Sequence, residues 1–205
     1  MKAILFDFDG TIINSQPIID EFVKKRLEEK QIKLNNEEEK NIKGMSLKDL
    51  TVWITKNKKT EIKKDYLKIN SDIEENIGLI KDARKTLAKI KSLGYKTAIV
   101  TNSPKDYVNR LIKKHDLEHF FDFIITEDDA KPKPNPEMLR IAAKKLIVKP
   151  DECAIIDDSK PGIIAGNELG MTTIKLGKKI NDAKYGVDTI AQLPNLLEQI
   201  QFTHQ

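Results

Sequence analysis

The sequence predicts an α/β protein: a doubly wound, parallel-sheet, Rossmann-like core that carries an inserted bundle of helices. Three observations carry this. Short apolar runs that stop abruptly on polar or acidic residues recur along the chain, helical periodicities fill the gaps between them, and one long early stretch is helical throughout. Strands that alternate with helices need crossover connections, and right-handed crossovers give a parallel sheet covered on both faces.

Lys2–Phe6 opens the pattern. Ala3, Ile4, Leu5 and Phe6 are apolar without alternation, as in a strand buried on both sides, and the run ends at Asp7. From about Pro17 to Gly78 the spacing becomes helical: Ile18, Phe22 and Val23 suit one helix face, as do Leu47, Leu50 and Ile54, and no strand interrupts. The edges of this insert fall near Asn14–Gln16 and Asn76–Leu79. The expected organisation is therefore a core of residues 1–14 and 79–205 and a helical domain of residues 15–78.

Beyond the insert the alternation resumes. A helix is expected over Ile80–Leu93, then a strand at Lys96–Val100 that runs into Thr101-Asn102-Ser103, and a helix over Lys105–His115. A strand at Phe121–Ile125 follows, then a helix over Pro136–Leu146. The strand Cys153–Ile156 runs into Asp157-Asp158-Ser159, and the helix Pro161–Leu169 leads to a fifth strand at Met171–Leu176.

Bulk properties narrow the function. Hydrophobic residues make up 39%, enough for a core, and charged residues 33%, which suits a solvated surface. The net charge of +4 favours small anions only mildly. The lysines are mixed with acids and no aromatic residues interleave with a basic stripe, so no nucleic-acid partner is expected. No apolar run reaches membrane-spanning length and no signal peptide fits the start of the chain. The single cysteine, Cys153, allows no intrachain disulfide, which fits a reducing cytoplasm. The expected assembly is a monomer or homodimer.

Ligands of open parallel sheets bind outside the carboxyl ends of the strands. The first strand delivers Asp7-Phe8-Asp9-Gly10-Thr11, two acids followed by a glycine suited to a sharp turn. The fourth delivers Asp157-Asp158, the second Thr101 with Ser103, and Lys131-Pro132-Lys133-Pro134 follows the third. Clustered carboxylates repel one another unless a cation lies among them, and a hard, oxygen-ligated cation that keeps its waters is Mg²⁺. With Mg²⁺ and a lysine in place the pocket becomes a phosphate site. One carboxylate can then attack phosphorus, and a second can protonate the leaving group and activate water.

At this point the chain resembles the haloacid dehalogenase superfamily. Asp7–Thr11 is similar to its first motif, and Thr101, Lys133 and Asp157-Asp158 to its second, third and fourth, in order over about Lys2 to Leu176. The insert resembles the α-helical cap of the subgroup that contains phosphoglycolate phosphatases and β-phosphoglucomutase. The resemblance implies an Mg²⁺-dependent phosphohydrolase acting on a small phosphorylated metabolite. Asp7 is the implied nucleophile and a metal ligand, and Asp9 the general acid/base, with its backbone carbonyl on the metal. Thr101, Asn102, Ser103 and Gly10 are the implied phosphate-binding positions, through side chains or backbone N–H groups. Lys133 offsets charge, Asp158 is the main remaining metal ligand, and Asp157 assists it. An acid at Asp9 argues against true dehalogenases. Ile19 stands where the mutases carry a histidine, which argues against a mutase, and Asn14 replaces an acid usual after the first motif. A non-catalytic metal- and phosphate-binding module is the remaining alternative, and the presence of both Asp7 and Asp9 argues against it.

Simpler roles compete at several positions. Ser103 before Pro104 reads as a helix N-cap, and Ser46-Leu47-Lys48-Asp49 as a capping box. The lysine-rich run Lys56–Lys64 reads as solvated. Cys153 and Trp53 read as packing residues. His115, His119 and His204 lack ligand-like spacing. Lys131 and Lys133 both precede proline, so local pattern does not choose between them, while the family's spacing favours Lys133.

Overall fold

The computed structural model describes residues 1–42, 47–58, 60, 71–178 and 180–202. Ser46, His204, and Lys59 and residues 61–64 of the lysine-rich run lie outside the described residues. Contacts divide the chain into two compact units, Met1–Asn14 with Gly78–Gln205, and Ser15–Ile77.

The strands, in chain order, are β1 (Ala3–Phe6), β2 (Ile13–Asn14), β3 (Gly78–Leu79), β4 (Lys96–Val100), β5 (Phe123–Ile125), β6 (Cys153–Asp157), β7 (Thr172–Leu176) and β8 (Tyr185–Val187). All belong to the larger unit. Six of them form a parallel sheet in the spatial order β5-β4-β1-β6-β7-β8. Strand β1 is central, and every residue of it is fully buried. Alternation sends Ala3 and Leu5 into one layer. There they join Ala98, Val100 and Ile155, and pack with Met138, Leu139, Ala142 and Ala143 from helix α7 (Glu137–Lys145). Ile4 and Phe6 fill the opposite layer. Helices α5 (Ala83–Ser92) and α9 (Leu193–Phe202) pack against each other, and α8 (Lys160–Glu168) packs on β6 and β7. Helix α6 (Lys105–Lys114) buries Tyr107, Val108, Leu111 and Ile112, one stripe at helical spacing.

Two pairings escaped the sequence reading. The residues that flank the insert form a two-stranded antiparallel ladder, β2 against β3. The sixth strand of the sheet, β8, is only three residues long and has no apolar run to signal it. One helix also starts later than its periodicity suggests. Asp82 adopts a left-handed conformation (φ 65°), so α5 begins at Ala83 instead of Ile80.

The smaller unit holds α1 (Gln16–Glu29), α2 (Asn36–Ile42), α3 (Leu47–Lys58) and α4 (Ser71–Glu74). It has its own core of Phe22, Val23, Leu27, Leu50 and Ile54. Trp53 and Ile19 pack against that core as partly buried residues. Among the described residues no helix is long and apolar enough to cross a membrane.

Candidate active site

Register assembles the site. Phe6 lies level with Ile99 of β4 and Ile156 of β6, so the three strands end side by side. Asp7 continues β1 by donating its backbone N–H to the Ile156 carbonyl at 2.9 Å. Asp157 is the next residue on β6, and Thr101 follows the last residue of β4. The carboxylates of Asp7, Asp157 and Asp158 have oxygens all within 4.8 Å of one another.

Lys133 closes this cluster. Its Nζ lies 2.7 Å from Asp7 Oδ1 and 2.7 Å from Asp157 Oδ2, and the residue is only 5% exposed. Burial alone would lower its pKa, but the carboxylates of Asp157 and Asp7 outweigh that and hold it raised. Lys131, two residues earlier, is exposed, and its backbone N–H reaches Glu137. The peptide bond that follows Lys133, to Pro134, is cis. Asn102 anchors the Lys133 backbone from both sides: its Nδ2 donates to the Lys133 carbonyl at 2.9 Å, and its Oδ1 accepts from the Lys133 N–H at 2.7 Å. The Asn102 side-chain amide is therefore engaged with the lysine's main chain.

One ammonium does not balance three carboxylates. Burial, and then the negative charge of Asp157, push Asp7 well above the usual carboxylate range. Burial and Asp157 likewise push Asp158 up to about 6, with Lys175 and Lys133 only partly offsetting them. A desolvated excess of carboxylate oxygen is what a hard divalent cation relieves, so the residues present fit Mg²⁺. Two glycines make room for the acids. A Cβ on Gly10, which is left-handed at φ 75°, would overlap the Asp158 carboxylate, and one on Gly162 of α8 would overlap that of Asp157. Asp157 Oδ1 also accepts the Ser159 N–H at 2.7 Å.

Asp9 has different company. Its Oδ2 accepts from the Ser103 hydroxyl at 2.6 Å and its Oδ1 from the Tyr107 hydroxyl at 2.8 Å. Ser103 thus serves Asp9 and is not the side-chain cap expected for α6; the Lys105 N–H at that helix start is met by Asp128 Oδ2 at 2.8 Å. Tyr107 was absent from the sequence-derived set, and its ring also packs edge-on against Phe8. Thr101 is 2% exposed and its hydroxyl accepts the Ser103 N–H at 3.1 Å. Cys153 is buried in β6, and burial pushes its thiol up to about 12, which leaves it unreactive.

The family model for haloacid dehalogenase-like hydrolases matches residues 4–176. A pyrophosphatase PpaX from Bacillus cereus is 30% identical over 188 residues, covering 90% of this chain and 87% of that protein. A HAD phosphatase from Thermococcus onnurineus has a TM-score of 0.72 and 28% identity, covering 96% of this chain and 98% of the other. A β-phosphoglucomutase from Clostridium difficile shares the fold, with a TM-score of 0.78, 23% identity and coverage of 100% and 98%.

Proposed function

We propose that this chain, which belongs to the haloacid dehalogenase-like hydrolase family, is a phosphohydrolase that takes the phosphoryl group of a small metabolite onto Asp7 and passes it to water. The observation that carries the reading is Asp7 at the end of β1, with Lys133 Nζ at 2.7 Å and the carboxylates of Asp157 and Asp158 close by. A carboxylate oxygen of Asp7 attacks phosphorus and the bond to the leaving oxygen breaks. Asp9 protonates that oxygen, then takes a proton from the water that cleaves the aspartyl phosphate. Thr101 and backbone N–H groups at the ends of β1 and β4 hold the phosphoryl oxygens, and Lys133 offsets their charge beside Asp7. Asp7, Asp158, the Asp9 carbonyl and, in support, Asp157 would hold Mg²⁺, which neutralises charge on the transferring group when bound.

The helical domain, Ser15–Ile77, acts in this reading as a cap that excludes water and selects the substrate. Ile19 packs in that domain's own apolar core, which supports hydrolysis over a mutase reaction needing a histidine there. Pyrophosphate heads the candidate substrates because relatives at 30% identity bear that name; phosphoglycolate and sugar phosphates follow. The test is phosphate release over a panel of phosphorylated metabolites with Mg²⁺. Absence of turnover on every member, with folded protein, overturns the reading in favour of a binding module. Conversion of β-glucose 1-phosphate to glucose 6-phosphate faster than phosphate release overturns it in favour of a mutase.

A further inference from the structure

A cavity of about 630 Å³ opens at the carboxyl ends of β7 and β8, within the core unit. That volume suits a small ligand. Gly10 and Asp158 form the wall it shares with the carboxylate cluster. Lys175 and Lys178 line it from the end of β7, Lys81 and Asp82 from the chain after β3, and Asp188 from the chain after β8.

Lys175 is the unusual member. It is 8% exposed, and its Nζ donates to the Leu176 carbonyl at 2.6 Å. Among the described residues it forms no ion pair. An ammonium has three donors, and burial is costly unless an anion answers it. Lys175 partly offsets Asp158, but among the described residues no carboxylate lies in ion-pair contact with it, so its ammonium keeps donors free toward a cavity that Lys81 and Lys178 also line. The cavity also opens where parallel α/β sheets bind their ligands.

We infer that this cavity is an anion subsite centred on Lys175, which takes a phosphate or carboxylate group other than the one transferred to Asp7. The occupant is either a second charged group on the substrate or a free small oxyanion. The substrate arm rests on the phosphohydrolase reading; the free-anion arm does not.

The test compares kcat/KM for pyrophosphate with that for phenyl phosphate, whose leaving group carries no second anion. If the substrate fills the site, wild type favours pyrophosphate, and Lys175→Met cuts that ratio by roughly tenfold to a hundredfold, the worth of a charge-assisted hydrogen bond. Taking the ratio cancels any loss common to both substrates. Lys178→Ala, at the rim, shifts it less in the same direction and keeps the test open should Lys175→Met not fold. Calorimetric titration with inorganic sulfate in the presence of Mg²⁺ covers the free-anion case: the wild type binds one equivalent more than Lys175→Met. An unchanged ratio together with unchanged sulfate stoichiometry overturns the inference. If wild type hydrolyses neither compound, the phosphohydrolase reading fails alone, and the sulfate titration still decides the site.

Discussion

The sheet buries one lysine beside β1 and β6 and another at the end of β7, and it answers them differently. Lys133 sits between Asp7 and Asp157 at 2.7 Å from each, while Lys175, among the described residues, meets a single carbonyl at 2.6 Å. The Lys133 ammonium is clasped by carboxylates. That of Lys175 partly offsets Asp158 without ion-pair contact, and its single hydrogen bond leaves donors for a ligand. Removing the two ammonium groups therefore has different consequences. Loss of Lys133 strands two buried carboxylates, and breaking such a pair costs about 3–5 kcal/mol. Loss of Lys175 removes a burial cost and strands no partner in ion-pair contact among the described residues.

The largest expected effect is at the first of these regions. Asp7→Asn retains shape and a hydrogen-bond acceptor for Lys133 but lacks the nucleophile, so turnover should fall to background while circular dichroism stays native. Wild-type turnover by the purified variant would remove Asp7 from its role. Metal depletion comes next: thorough chelation should stop phosphate release, Mg²⁺ should restore it, and Ca²⁺, with a larger and looser shell, should restore it poorly. Full activity in the depleted enzyme would break the link between the carboxylate excess and a cation.

Lys133→Met should cost orders of magnitude in turnover and lower the thermal midpoint far more than Lys175→Met, whereas Lys131→Met, at an exposed position, should change either little. Equal destabilisation by Lys133→Met and Lys175→Met would erase the contrast between the two regions, and the reverse ranking of Lys131 and Lys133 in turnover would move the charge-offsetting role. Two further effects concern Asp9. Asp9→Asn should slow turnover by roughly 10²–10⁴-fold, the usual worth of general acid–base catalysis. Tyr107→Phe removes one of the two hydroxyls that hold it and should cost about tenfold. That loss should be greater for alkyl than for nitrophenyl esters, because only the former need the acid. Equal losses on both would mean that Tyr107 acts by packing alone.

Much of the architecture was legible from one dimension. Apolar runs that stop on acids mark buried strands ending at a ligand edge, and the change of period after Asn14, established from Pro17 onward, marks the helical insert. The same signals brought Asp7, Asp9, Thr101, Lys133, Asp157 and Asp158 to one edge, because each follows closely on a strand or lies in the segment after one. Short or polar elements left no such trace. Strand β8 is three residues long, and the β2–β3 ladder pairs residues from opposite sides of the insert, Ile13 with Leu79 and Asn14 with Gly78.

Hydropathy and periodicity report whether a segment is buried and in what conformation, so the sequence by itself determined the parallel core, the helical insert and the acids at the strand ends. It did not determine which side chains would meet. Asn102 reaches the Lys133 backbone across 31 positions, and Tyr107 reaches Asp9 across 98. The clasp of Lys133 between Asp7 and Asp157, the diversion of Ser103 from helix cap to Asp9, and the burial of Lys175 beside a cavity all depend on strand register and on how α6 and the loop after β5 pack. Those are properties of the folded chain: a hydrogen bond is decided by a few tenths of an ångström between residues far apart in sequence, and no local pattern encodes that distance.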